Sequence, residues 1–356
     1  MNDPAAQVPV SPNHRFDEAG PRQAALARYL RGKLPGFDAE IEVKQFQGGQ
    51  SNPTYRILTP AGDYVLRKKP AGKLLPSAHA IEREFTVMRA LAGHVPVPRM
   101  LLLCEDESVL GQPFYLMEHI DGRIMPDARL LDAPRAERRD LCLELVTVLA
   151  RLHRVDYRAA GLGEFGRSEH YVARQLARWS KQYAASRVED NADMDRLIGW
   201  LEANLPSSDE SSIVHGDYRT HNVIFARHEP RIAAVLDWEL ATIGHPLSDL
   251  AYCCLPYHLP PEDVRGFQDN TPQALGVPSE EEMTAAYCRE AGRSELPHWH
   301  YLLAFSLFRS AAIRAGVYRR ALDGTAADPE AALQMGQRFR GTAACAWQLV
   351  QAGPKD

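Results

Sequence analysis

Long apolar runs are missing from this 356-residue chain. No stretch of 18 apolar residues occurs, so no membrane-spanning helix and no membrane partner is expected. The first 20 residues carry Asp3, Asp17 and Glu18 with three prolines and no apolar centre, so no signal peptide is expected either. A charge excess is also missing. The chain has 41 basic and 46 acidic residues, a net charge of -5 and a pI of about 6.2, which argues against nucleic acid as a partner. The six cysteines form no C-x-x-C pair and no Cys/His zinc spacing, so a reduced, cytoplasmic protein is expected. Lysine is scarce after residue 122, where 2 Lys stand against 25 Arg. Apolar residues, in contrast, make up 45% of the chain, enough for a substantial core in a two-part unit.

The chemistry is concentrated between Ile213 and Glu239. Ile213-Val214 leads into His215-Gly216-Asp217, Asn222 follows after four intervening residues, and Val223-Ile224-Phe225 comes next. A polar turn, Arg227 to Arg231, separates this from a second apolar run ending at Asp237. The pattern predicts strand, loop, strand, turn, strand. Phosphoryl transfer needs such a set: one Asp to take or orient the proton of the attacking hydroxyl, and an Asn and a second Asp for magnesium ions on the nucleotide phosphates. Asp217, Asn222 and Asp237 keep the order and first spacing of the kinase pattern H-R-D-x-x-x-x-N followed by a metal-binding Asp.

The rest of the chain fits around this stretch. Residues 1–20 read as a lead-in without structure, and Pro21 to Leu34 as a helix stopped by Pro35-Gly36. Ile41 to Phe46 and Thr54 to Leu58 read as strands joined by a glycine loop containing Gly48, Gly49 and Ser51. Such a loop can offer backbone N–H groups and a hydroxyl to phosphates, and is equally an ordinary turn. Tyr64 to Lys69 reads as a strand on which Val65 and Arg67 share one face and Lys68 takes the other. His79 to Leu91 reads as a helix bearing Glu84, a candidate partner for Arg67. Two more strands, Arg99 to Cys104 and Phe114 to Met117, flank an acidic hairpin at Glu105–Glu107. Residues 21–117 are thus expected to form an N-lobe, 118–122 a hinge and 123–350 a mainly helical C-lobe. In that C-lobe, helices are predicted over Ala136–His153, His170–Tyr183, Asp193–Leu205, Glu281–Ala291 and Trp299–Leu322. The last is expected to show Arg309 and Arg320 on one face, where arginine is usually solvated. Gly244 to Ala251 reads as a loop entering a helix, with Ser248 or Asp249 near the cap position; Asp249 either buttresses the catalytic loop through backbone hydrogen bonds or serves as a plain cap.

The assembled residues resemble the aminoglycoside phosphotransferase superfamily of small-molecule kinases. The resemblance rests on His215-Gly216-Asp217, Asn222 and Asp237-Trp238-Glu239. It is closest to the kinase-like domain fused to some acyl-CoA dehydrogenases and to its stand-alone bacterial relatives, through Gly48 to Tyr55, Val65 to Pro70, Ile81 to Phe85 and Leu236 to Leu250. It covers about residues 22–350. It implies an α+β fold of the protein-kinase-like, two-lobed kind, with a small five-stranded antiparallel N-lobe and a larger, mainly helical C-lobe. It implies ATP and Mg2+ as cofactors and a small-molecule acceptor. It implies Asp217 as catalytic base, Asn222 and Asp237 as magnesium ligands, Gly48, Gly49, Ser51, Arg67 and Glu84 around the phosphates, and the main chain of Glu118 and Ile120 at the adenine. Arg67 departs from the family pattern, which has Lys, and the exchange is not conservative. The expected function is transfer of a γ-phosphate to a hydroxyl, with a hydroxyacyl-CoA or hydroxy acid as acceptor. The alternatives are a nucleotide-binding pseudokinase with a regulatory role, or a kinase of aminoglycosides or other small alcohols. A protein kinase fits less well, because only four residues separate Glu239 from Gly244 and leave little room for a peptide platform.

Overall fold

In chain order, the computed structural model begins with α1 (Pro21–Leu30), β1 (Glu42–Gln45), β2 (Thr54–Thr59), β3 (Gly62–Lys68), α2 (Ile81–Leu91), β4 (Met100–Cys104), α3 (Glu107–Leu110) and β5 (Phe114–Glu118). There follow α4 (Arg135–His153), α5 (Tyr171–Ser186), α6 (Ala192–Ala203), β6 (Ser212–Val214), β7 (Val223–Phe225), β8 (Ile232–Val235) and β9 (Thr242–Gly244). The remainder is helical: α7 (Pro246–Cys253), α8 (Pro272–Leu275), α9 (Glu280–Ala291), α10 (Trp299–Leu322), α11 (Pro329–Gln337) and α12 (Phe339–Ala352). The described residues are 21–46, 52–70, 80–207, 210–263, 265–267, 270–326 and 328–354. The N-terminal lead-in and the glycine loop with Gly48, Gly49 and Ser51 lie outside them. The chain divides into two compact units, one running to Ile124 and taking in Asn222–Ala241, the other comprising Met125–His221 and Thr242–Asp356.

The first unit is built on an antiparallel sheet of order β1-β2-β3-β5-β4. Strand alternation sorts its side chains. Tyr55, Ile57, Leu66, Phe114 and Leu116 pack with Leu26 and Leu30 of α1 in one apolar cluster. Val65 and Arg67 therefore take the opposite face, as the period of two predicts. On α2, Ile81, Phe85, Met88 and Leu91 recur at helical spacing and are buried together with Glu84. The short pair β7–β8 also belongs to this unit, with Val223 opposite Val235.

Two local predictions need correction here. Helix α1 stops a turn early, at Leu30, and the chain turns before Pro35. Strands β4 and β5 do pair as a hairpin, but the acidic stretch between them winds into a single helical turn, because the Asp106 carboxylate accepts the Ser108 N–H at 2.9 Å and caps it.

The second unit is helical around α10, which is buried over most of Tyr301–Val317 and packs against α5, α7, α11 and α12. A helix apolar on nearly all sides belongs inside a bundle. It is not the final helix, since α11 and α12 follow it. Strand β6 pairs with β9, Ile213 opposite Ile243, rather than with its sequence neighbour. Gly244, expected to open a loop, is instead the last residue of β9. Gly244 closes it against the Tyr171 ring, where an added Cβ would come within 2.6 Å, so no larger residue fits there.

Candidate active site

In the first unit, Arg67 on β3 joins two carboxylates. Its Nε lies 3.0 Å from Oε2 of Glu84 on α2, and its Nη2 lies 2.9 Å from Oδ1 of Asp237. The two contacts use different nitrogens of one planar fork, which a single ammonium could not do. Glu84 is 1% exposed and also accepts from Asn52 Nδ2 at 2.9 Å and from the Tyr115 hydroxyl at 3.0 Å. Burial pushes its carboxyl up to about 7, against the downward pull of Arg67. Burial alone would lower the Arg67 guanidinium. Glu84, Tyr115, Asp237 and Glu239 together outweigh that and hold it above its ordinary value.

Asp237 follows β8 in the left-handed region, at φ 64°, which Asp tolerates better than most residues. Just ahead of β7, the Asn222 carbonyl accepts the Leu236 N–H at 2.8 Å. Pairing of β7 with β8 thus sets Asn222 beside the residue that precedes Asp237. Both offer oxygen donors of the kind hard cations prefer. Among the described residues, no group of three or more His, Cys, Asp or Glu side chains could hold a metal alone. Magnesium typically uses one or two protein oxygens, with phosphates and water supplying the rest, so this sparse set fits it.

Arg67 and Asp237 stand at the polar end of a cavity of about 750 Å³, open mouth included, whose apolar wall includes Val65, Met117, Ile224 and Leu236. Glu118 and Ile120 both line it. The Glu118 N–H is already given to the Arg99 carbonyl at 3.0 Å, whereas Ile120 lies two residues past the last paired position of β5.

In the second unit, the loop between β6 and Asp217 is held from both sides. Asp249 on α7 accepts the His215 N–H at 2.5 Å on one oxygen and the Gly216 N–H at 2.9 Å on the other. Asp249 is therefore a buttress and not a cap, and α7 begins instead after His245 with Pro246 in its first turn. Burial would raise the Asp249 carboxyl. Interactions with His153 and with His215 overcome this and hold it below its usual range. Nε2 of His153 is 3.6 Å from Asp249, and Nδ1 of His153 is 2.7 Å from the Tyr287 hydroxyl.

On the other side, Arg309 of α10 donates to the Gly216 carbonyl. Its guanidinium sits over the rings of Trp179 and Tyr252, at 5.4 and 4.9 Å. Arg309 is thus buried and structural, not solvated, while Arg320 is exposed. Gly216 itself has φ 85°, a conformation open to glycine and strained for a larger residue. Beyond it, Asp217 Oδ1 lies 3.3 Å from Arg219 Nε. Sequence reasoning missed the roles of His153 and Arg309, whose partners lie far along the chain.

This fold and this loop are of the kinase-like kind found in phosphotransferase families. The chain belongs to the phosphotransferase enzyme family, whose model matches residues 42–287. It is 45% identical over 332 residues to acyl-CoA dehydrogenase family member 10 of Mus musculus, a match covering 92% of this chain and 31% of that protein. This chain therefore spans about a third of that relative. A Ralstonia eutropha JMP134 protein, provisionally named an aminoglycoside phosphotransferase, is 43% identical, with a TM-score of 0.84 over 93% of this chain and 99% of its own. A spectinomycin phosphotransferase solved with ADP and spectinomycin shares the fold at 14% identity, with a TM-score of 0.62 over 92% of this chain and 98% of its own. No helix among the described residues is long and apolar enough to cross a membrane, and all six cysteines are free thiols.

Proposed function

We propose that this chain is a small-molecule kinase that moves the γ-phosphate of ATP, with Mg2+, to a hydroxyl group. The observation that carries the reading is Arg67 bridging Glu84 and Asp237 at the polar end of the cavity. An ion pair between the strand cation and the helix glutamate is the arrangement that kinases need in place for phosphoryl transfer. Arg67 makes that ion pair in place of the family's Lys, and the presence of Asp217, Asn222 and Asp237 supports an enzyme over a regulatory pseudokinase.

The residues divide the work. Glu84 fixes the direction of Arg67, and Arg67 neutralises phosphate charge. Asn222 and Asp237 would hold Mg2+, which would supply positive charge against that building on the transferring phosphate. The main chain of Glu118 and Ile120 meets the adenine edge. Asp217 takes the proton of the acceptor hydroxyl, and the clamp of Asp249 and Arg309 on Gly216 holds the preceding backbone so that the carboxylate keeps one position. The bound ADP of the spectinomycin enzyme supports nucleotide use. The name of the mouse relative supports an acceptor from acyl chain metabolism, a hydroxyacyl-CoA or hydroxy acid, over an aminoglycoside.

The test is ADP release with Mg-ATP over a panel of hydroxyacyl-CoA compounds, hydroxy acids, sugars, amino alcohols and aminoglycosides. One class is expected to turn over, and Asp217→Asn should lower kcat by ~100- to 10,000-fold while nucleotide still binds. No turnover with any class by protein that binds Mg-ATP would overturn the reading.

A further inference from the structure

Beside the catalytic loop, the second unit holds a separate cavity. Arg219, Thr220 and His221 continue the loop past Asp217 into its wall. Leu145, Leu255 and Leu259 supply an apolar lining, and Arg265 closes one side. Since Arg219 also contacts Asp217 at 3.3 Å, this cavity adjoins the carboxylate assigned as the base. We infer that it receives the acceptor and that Arg265 is the binding residue that selects an acceptor bearing a carboxylate or phosphate on an apolar body. This rests on the kinase reading given above and adds the charge of the substrate and the residue that reads it.

The argument is one of charge and support. Asp263, fully buried, is shared by two arginines: Arg314, itself 2% exposed, in close contact, and Arg265, whose Nε is 4.0 Å away. Two cations around one carboxylate leave an excess positive charge. Burial and the neighbouring Arg265 lower the Arg314 guanidinium to about 10, as expected where cations crowd. The other carboxylates at the cavity are matched, Asp127 by Arg129 at 2.9 Å and Asp217 by Arg219. The buried Arg309 guanidinium adds positive charge behind Tyr252, which lines the same cavity. Among the described residues the wall is therefore net positive, which disfavours a cationic acceptor.

Arg265 is also held ready. Its Nη2 donates to Ser310 on α10 at 2.8 Å, and its N–H donates to Asp263 at 2.9 Å. The side chain remains partly exposed toward the cavity, so a bound anion meets a guanidinium whose ordering cost is already met. Forked binding of carboxylate or phosphate is the contact arginine makes best.

Binding can be read without phosphate transfer. Hexanoate, hexyl phosphate, hexanamide and hexylamine are titrated into the full chain by calorimetry. At least one anion should bind ~10-fold tighter than hexanamide, and hexylamine should bind least. The carboxylate and phosphate arms tell which anion the site prefers. Arg265→Ala should erase the preference and Arg265→Lys should keep part of it, with folding checked by circular dichroism and melting. If Arg265→Ala does not fold, Arg265→Lys decides: an anion preference unchanged from the parent overturns the proposal. So does tightest binding of hexylamine, or a folded Arg265→Ala that still prefers anions. ADP release with hydroxylated analogues is scored separately. Turnover of cationic alcohols without anion binding refutes the cavity assignment alone, whereas intact anion binding without any turnover refutes the kinase reading alone.

Discussion

Removing the Arg67 side chain probes the network on which the functional reading turns. The guanidinium is 15% exposed and serves two carboxylates, Glu84 at 1% and Asp237 at 34% side-chain exposure. Breaking a buried ion pair by deleting one partner costs about 3–5 kcal/mol, because the other charge is stranded. Glu84 retains Asn52 and Tyr115 as donors, and burial has already raised its carboxyl to about 7, so it can neutralise by taking a proton. That places the Glu84 loss near the lower end, about 3 kcal/mol. The partly exposed Asp237 contact adds at most about 1 kcal/mol. Arg67→Ala should therefore destabilise by about 3–4 kcal/mol in urea unfolding followed by circular dichroism. Arg67→Lys keeps the charge but loses the fork, and should lose about 1–2 kcal/mol while retaining more ATP affinity than the alanine variant. Adding Glu84→Gln to Arg67→Ala should recover about half of the loss, since no charge is then stranded. A single Arg67→Ala within about 0.5 kcal/mol of the parent, or a double variant as unstable as the two singles summed, would falsify the network.

Three further outcomes are expected. Asp249→Ala leaves the His215 and Gly216 amides without their acceptor and should cost about 2–5 kcal/mol, with faster hydrogen exchange at those two amides; unchanged protection there would count against the buttress. Asp237→Ala should abolish the Mg-dependent part of ATP binding in calorimetry, and unaltered affinity would remove Asp237 from the metal site. His245 is 1% exposed, neither ring nitrogen has a hydrogen-bond partner among the described residues, and burial lowers its pKa to about 4. The unfolded chain, titrating near 6.5, binds more protons between these values, so stability should be complete above about pH 6.5 and fall by up to about 3 kcal/mol as pH drops toward 4. His245→Asn should flatten that slope, and a slope identical to the parent's would show that other groups cause it.

The features legible in the sequence were those set by short spacing. Period-two alternation put Val65 and Arg67 on one face, helical spacing marked α2, and the order of His215, Gly216, Asp217, Asn222 and Asp237 marked the candidate site and the family. What was not legible depended on partners far along the chain. Asp249 reaches the loop across 34 residues and Arg309 across 93, so nothing near either residue distinguishes a clamp from a cap or a solvated arginine. The strand β9 is three residues long and exists because β6 pairs with it, which no local propensity announces. Likewise Arg265 lies in a Pro- and acid-rich stretch, and nothing local announces its hydrogen bond to Ser310, 45 residues on.

The threefold anchoring of Glu84 bears on regulation. In protein kinases, activity is governed by whether the strand cation and the helix glutamate meet, and moving the helix breaks their contact. Here a rotation of α2 would have to give up Asn52, Arg67 and Tyr115 together, three buried interactions at one carboxylate. At about 1–3 kcal/mol each, or about 3–9 kcal/mol together, the disengaged state would hold at most about one molecule in a hundred. On the kinase reading proposed above, α2 would seldom leave its engaged position. The enzyme's output would track the supply of nucleotide and acceptor, as suits a housekeeping step rather than a signal.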